Sequence, residues 1–175
     1  MGIGIIVCGL NGCGKSTFGK ALADKLNCKF MDIEDYYFPK TNNNYIYASP
    51  RTRAEVAELL YDDLKKRVRF VLASVRGDFG DEIEALFSFA VLISVPKEIR
   101  MERVRNRSFQ KFGSRMLYGG DLYEKEEQFF NAAYVKPENY TEQWLSKTKL
   151  STMRIDGTKP INENLERILM KMSNV

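Results

Sequence analysis

One stretch of nine residues, GLNGCGKST at positions 9–17, constrains this chain more than any other. It follows a short continuous apolar run, Gly4 to Gly9, of the kind a buried parallel strand shows. It precedes apolar or small residues at Phe18, Ala21, Leu22 and Leu26, a helical spacing that predicts a helix from Lys15 to Leu26. Three glycines in the six residues 9–14 would weaken any regular element, so bare backbone is needed for another purpose. Successive N–H groups that converge on an anion need that room, because side chains would block the approach. The helix that follows adds its positive N-terminal end. Gly9, Gly14, Lys15 and Ser16 fit G-x-x-x-x-G-K-[ST] in the required strand-to-helix context, with Gly12 as an extra glycine. The stretch therefore reads as a loop for a nucleoside triphosphate. The backbone from Asn11 through Cys13 to Thr17 cradles phosphates, Lys15 reaches the β- and γ-phosphates, and the Ser16 hydroxyl ligates Mg²⁺.

The rest of the chain alternates strand and helix patterns. Strands are predicted at Cys28–Ile33, Arg69–Val75, Phe89–Val95 and Thr152–Asp156. Helices are predicted from Ser49–Pro50 to about Lys66 (Val56, Leu59, Leu60 and Leu64 inward), from Lys97 to about Arg107, and from Ile161 to about Met172. Residues 39–50 read as loop. A polar helical region runs from about Leu122 to Lys149 with a break near Pro137. The class implied is α/β, a mostly parallel sheet with helices on both faces. Ligands in such sheets bind beyond the carboxyl ends of the strands. At 175 residues without a linker, the expectation is one domain, 1–175.

Composition removes several chemistries. The chain has no histidine, which excludes Ser-His-Asp and Cys-His catalysis and histidine metal sites. A general base must then be a carboxylate, lysine, tyrosine or cysteine. The three cysteines, Cys8, Cys13 and Cys28, have no C-x-x-C spacing and suggest a reducing, cytoplasmic setting. No signal peptide or membrane-length apolar run is visible. The net charge of +4 suits small anionic substrates and argues against nucleic acid as partner.

Beyond the loop, the chain resembles the nucleoside monophosphate kinase-like group of small P-loop kinases, which includes adenylate, shikimate and uridine kinase-like enzymes. Four segments carry the resemblance: the loop itself, EIRMERVRNR (98–107), QKFGSRMLYGGDLYEKEEQFF (110–130) and IDGTKP (155–160). It implies a three-layer fold with a five-stranded parallel sheet ordered 2-3-1-4-5 and a helical lid. The lid and its following helix would occupy 108–150, with Gly113, Gly119 and Gly120 as hinges. By resemblance Arg103 lies over the adenine of ATP and Arg107 contacts phosphates, the two sharing one helical face. Arg115 would swing onto the phosphates from the lid. Gly157, Lys159 and Pro160 would flank the adenine through backbone. Arg100 and Arg105 read as solvated helix-face residues.

The resemblance also points to an acceptor side, segment 36–68. In these kinases carboxylates after the second strand hold the acceptor and its proton, which nominates Asp32, Glu34 and Asp35 in MDIEDYYFP. Along an extended backbone Asp32 and Glu34 would point the same way. Asp32 would orient the Mg²⁺ waters, and Glu34 or Asp35 would take the proton. Tyr36 and Tyr37 would stack on a ring or pack, Arg51 and Arg53 open the next helix where an arginine would hold an acceptor phosphate through its fork, and Arg76 and Asp78, ending the third strand, would face acceptor or metal. VRGDFGD departs from the adenylate and shikimate kinase patterns, and the gluconate-kinase-like histidine is absent. The implied activity is transfer of a phosphoryl group from ATP, with Mg²⁺, to a small-molecule acceptor of the nucleotide, nucleoside or similar metabolite type. A regulatory P-loop switch and a polynucleotide 5′-end kinase are the alternatives. A GTPase lacks support because no N-K-x-D motif is present, and large AAA machines need more chain.

Overall fold

The computed structural model describes residues 3–173. Five strands, β1 (Ile3–Cys8), β2 (Lys29–Asp32), β3 (Arg69–Ala73), β4 (Phe89–Ser94) and β5 (Ser151–Asp156), form one sheet in the order β2-β3-β1-β4-β5. Every pairing is parallel, with Ile5 opposite Val71 and Phe89 on either side of the central strand. Helices α1 (Lys15–Leu26), α2 (Ile33–Tyr37), α3 (Arg53–Leu64), α4 (Asp81–Glu84), α5 (Lys97–Phe112), α6 (Tyr123–Val135), α7 (Tyr140–Leu145) and α8 (Ile161–Ser173) complete the order. The expected class and strand order are both present.

The period of two in β1 builds two cores. Ile5 and Val7 face α1 and α8, where they meet Phe18, Leu22, Leu165 and Ile168. Ile6 and Cys8 face the other way, onto Val56, Leu60 and Leu64 of α3 and onto Trp144. Both faces are covered, which is why the strands read as unbroken apolar runs. A third, smaller cluster of Val104, Met116 and Phe130 joins α5 to α6.

Several boundaries differ from the sequence reading. Segment 28–33 does not continue as strand. The Asp32 side chain accepts the Glu34 backbone N–H at 3.0 Å and caps α2, so the chain winds into a helical turn there. Asp32 and Glu34 are thus related as cap and helix, not as alternate residues of a strand. The next helix begins at Arg53, not at Ser49–Pro50, because Thr52 and Glu55 form a reciprocal capping box. Leu59, expected inward, is 42% exposed. Helix α5 extends past Arg107 to Phe112 before a 3₁₀ turn, Gly113–Met116.

Candidate active site

The loop between β1 and α1 is shaped by its glycines. Gly12 has φ 83°, and a Cβ there would lie 2.3 Å from the Arg100 carbonyl oxygen on α5. Gly14, at φ 97°, is the left-handed residue from which α1 starts. Lys15 Nζ donates to the Leu10 carbonyl at 3.2 Å, folding the amine back across the loop it serves.

This loop forms one wall of a cavity of about 480 Å³. Asn11, Gly12, Gly14, Lys15, Ser16 and Thr17 line it from β1–α1, Asp32 and Glu34 from the end of β2, and Arg76 and Asp78 from the end of β3. Arg103 and Arg107 line it from α5, with Arg107 Nη2 3.9 Å from Glu34 Oε1. Gly9 lies just outside, lining a smaller pocket behind the loop, and Cys13 is buried at 1% exposure, a filler beneath the backbone. A second groove of about 490 Å³ runs along Cys13, Gly14, Thr17, Gly157, Thr158, Lys159 and Pro160. Arg103 lines both spaces and donates from Nη1 and Nη2 to the Gly157 carbonyl at 3.2 Å, so it stands at the junction of groove and cavity.

Four nominated residues are not brought to the cavity. Asp35 points to solvent and pairs with Lys40 at 2.5 Å. The Tyr36 hydroxyl donates to Asp63 Oδ2 at 2.9 Å on α3, and burial followed by that bond pushes its phenol up. It is a strut between helices, since its ring packs on the α3 side of the core. Arg51 Nη1 donates to the Tyr36 carbonyl at 2.7 Å and ties the segment's backbone together. Arg115 is held by Asp121 at 2.6 Å and by the Asn44 carbonyl at 2.9 Å. In each case a nearby partner inside the same segment captures the side chain.

Their neighbours Tyr37 and Arg53, considered with them from the sequence, do line the cavity, as do residues that the sequence did not single out. Tyr37, Phe38, Phe79, Phe129 and Tyr140 supply aromatic wall, and Arg53 enters from the first turn of α3. Arg53 and Arg76 both grip Asp78, at 3.2 and 2.7 Å, so this carboxylate is a pivot between two cations. Arg76 also lies over the Tyr140 ring at 4.0 Å. Lys136 was not foreseen. It follows α6, half-buried in the cavity wall, and its ammonium is pushed below the ordinary lysine range by burial, then by Lys15 and Arg76. The available signal was its place at the break in the polar helical stretch, just before Pro137. Arg100, read as a solvated residue, is 2% exposed and bonded on all sides. Arg105 clamps α6, pairing with Glu127 at 2.7 Å and lying 4.3 Å from the Phe130 ring centre.

The donor set suits a magnesium nucleotide: the Ser16 hydroxyl and the Asp32 carboxylate offer hard oxygens on the same cavity as Lys15. Among the described residues no helix is long and apolar enough to cross a membrane.

Residues 5–131 match a family described as AAA domain (AAA_18). The chain belongs to that family. This AAA domain is 28% identical over 178 residues to Uncharacterized protein YqaC of Bacillus subtilis (strain 168), covering 97% of each chain. It is 33% identical over 67 residues to a gluconokinase of Arabidopsis thaliana, covering 37% of this chain and 35% of that one. Its fold is that of small P-loop kinases: shikimate kinase from Acinetobacter baumannii, solved in complex with shikimate, superposes with a TM-score of 0.61 at 17% identity, over 99% of this chain and 95% of that chain.

Proposed function

We propose that this AAA domain transfers the γ-phosphoryl group of ATP to a hydroxyl or phosphate oxygen of a small, anionic acceptor. The observation that supports this most is the meeting, in one cavity, of the phosphate-binding loop with acidic residues at the end of β2 and cations at the end of β3 and after α6. The kinase names of the gluconokinase and shikimate kinase relatives agree with it. Loop amides and Lys15 hold the triphosphate, and the base lies in the Gly157–Pro160 groove beneath Arg103. Mg²⁺, held by Ser16, the Asp32 carboxylate and the phosphates, would neutralise charge on the β- and γ-oxygens. For a hydroxyl acceptor, Glu34 takes its proton as the new O–P bond forms. The bond from the γ-phosphorus to the bridging oxygen breaks and ADP leaves. Arg107 and Lys15 stabilise the charge spread over the transferred oxygens. Segment 36–68 serves the acceptor, and 108–150 is the lid that excludes water.

The test is ADP release from Mg·ATP across nucleosides, nucleoside monophosphates, sugar acids and shikimate. One acceptor is expected to raise release many-fold. With a hydroxyl acceptor, Glu34→Gln is expected to lower kcat about 100-fold or more. A bound ATP whose turnover no acceptor stimulates would overturn the reading in favour of a nucleotide-dependent switch.

A pH dependence follows from Lys136. Its charged form is needed to attract an anion, and its depressed value means that charge is lost as pH rises, earlier than for an ordinary lysine. Acceptor KM is therefore expected to rise on the alkaline side below the ordinary lysine range. Lys136→Arg, which stays charged, is expected to remove that rise. An unchanged KM profile in Lys136→Arg would show that another group is titrating.

A further inference from the structure

Arg100 is the largest side chain among the described residues to be buried this fully, and the phosphoryl-transfer scheme gives it no task. It projects from the first turn of α5 into the space behind the phosphate-binding loop. Nε donates to the Val95 carbonyl at 3.1 Å, at the exit of β4. Nη1 donates to the Asn11 carbonyl at 3.3 Å, inside the loop. Nη2 donates to both oxygens of Glu138, at 2.7 and 3.0 Å. A guanidinium is suited to this because its donors are fixed in one plane. One side chain thus joins the loop that binds the nucleotide to the turn that returns from α6.

That turn carries Lys136 and Tyr140, both on the cavity wall, two residues to either side of Glu138. Pro137 stands between Lys136 and Glu138, so the short connection has one backbone angle locked. The Pro137 carbonyl accepts the Tyr140 N–H at 3.0 Å and closes the turn. Farther along, Thr141 Oγ1 donates to the Val75 carbonyl at 3.0 Å, next to Arg76. Glu142 pairs with Arg154 of β5, whose Nη1 donates to Ser94 Oγ at 2.8 Å. Thr141 and Glu142 anchor the far side of the turn to β3 and β5. On the near side, where Lys136 leaves α6, the Arg100–Glu138 pair is the tie. Lys136 has the Tyr140 ring 5.2 Å from its amine and two cations, Lys15 and Arg76, as electrostatic neighbours. A half-buried amine among like charges is disfavoured there, and a fixed backbone limits how far its stem can carry it away.

We propose that Arg100 and Glu138 are positioning residues. Their pair holds the 136–140 turn against the phosphate-binding loop, and so keeps Lys136 presented to an anion beside the nucleotide. The inference rests on the proposed use of the cavity for phosphoryl groups, and it goes further by naming what aims the cation. The Asn11 carbonyl also makes the strut sensitive to the loop: movement of the backbone around bound phosphates is passed through one guanidinium to Lys136.

The experiment needs no acceptor. Inorganic phosphate is titrated into the full chain saturated with ADP, followed by ³¹P NMR, in wild type, Lys136→Ala, Glu138→Gln and the double variant. Glu138 is 57% exposed and Gln keeps an amide oxygen for the buried Arg100 guanidinium, and the melting temperature of Glu138→Gln is measured first so that a loss of phosphate binding is read only in the folded protein. Lys136→Ala is expected to weaken phosphate about tenfold, the loss of one charge-assisted contact. Glu138→Gln is expected to weaken it by a similar factor, while ADP affinity stays within about twofold. In the Lys136→Ala background Glu138→Gln is expected to add nothing, because the cation it aims is gone. Additive losses would overturn the proposal, as would an equal loss of ADP affinity, which would make the pair a brace for the loop alone. Absence of phosphate binding to the ADP-loaded wild type would overturn it too. Coupled phosphate losses in a protein that phosphorylates no acceptor would support the strut and remove the kinase reading.

Discussion

Lys15→Ala is expected to lower acceptor-dependent ADP release about 100- to 1,000-fold, the range found when one preorganised charge is removed from a developing oxyanion. The lysine is half-buried in the loop, lines the cavity, and bonds only a backbone carbonyl, that of Leu10 at 3.2 Å. That bond is expendable. Its loss costs about 1 kcal/mol, so the melting temperature should move by about 2–4 °C. The catalytic loss and the small thermal shift belong together, since an inactive variant that is also unfolded says nothing about the loop. Nucleotide affinity measured by calorimetry should fall in parallel. A Lys15→Ala protein that keeps its ATP affinity and its turnover would show that the loop between β1 and α1 is not where the triphosphate binds.

Arg100→Met should produce the opposite pattern, a large thermal loss. Methionine reproduces the apolar stem but none of the donors. The carbonyls of Val95, buried, and Asn11, part-buried, now bonded at 3.1 and 3.3 Å, would be left without them. Glu138 is exposed enough to turn to water, so the penalty is carried by the carbonyls more than by the carboxylate. One buried and one part-buried acceptor left unpaired, at about 1–3 kcal/mol each, put the cost near 3 kcal/mol. In a chain of 175 residues that lowers the melting temperature by about 6–12 °C. Differential scanning calorimetry against Glu138→Gln separates the two halves of the strut. A melting temperature unchanged in Arg100→Met would mean that water reaches these carbonyls and the side chain is not structural.

The same two residues mark how far the site could be read from the chain. Lys15 was legible because its role is local. A glycine-rich turn between an apolar strand and a helix leaves little else for the backbone to do, and all the information lies within nine residues. Arg103 and Arg107 were legible as a helical pair, and both reach the cavity. Arg100 was not, although it lies on the same helix and is chemically identical. Its burial depends on Glu138, 38 residues away, and on Asn11, 89 residues away.

The acceptor side shows the same division. Asp32, Glu34, Asp35 and Tyr36 are neighbours in one segment, and sequence alone gave no way to sort them. The cap that Asp32 makes with the Glu34 N–H turns the segment into a helix. That turn sends Asp35 to Lys40 and Tyr36 to Asp63, and leaves Asp32 and Glu34 on the cavity. The lid-like segment points Arg115 at the phosphates, yet Asp121, six residues on, is near enough to claim it.

The sequence by itself determined the parallel α/β class and the phosphate-binding loop. Both follow from short-range patterns: unbroken apolar strands, helical spacing, and glycines where amides must converge. The tertiary structure decided which members of each charged cluster face the cavity, because a long charged side chain turns to whichever partner the fold brings within reach, whether Lys40, five residues from Asp35, or Glu138, 38 residues from Arg100. Lys136 illustrates the point: its place before Pro137 marks a break in a helical stretch and nothing more, and the folding of its turn puts it on the same cavity wall as Lys15 and Arg76.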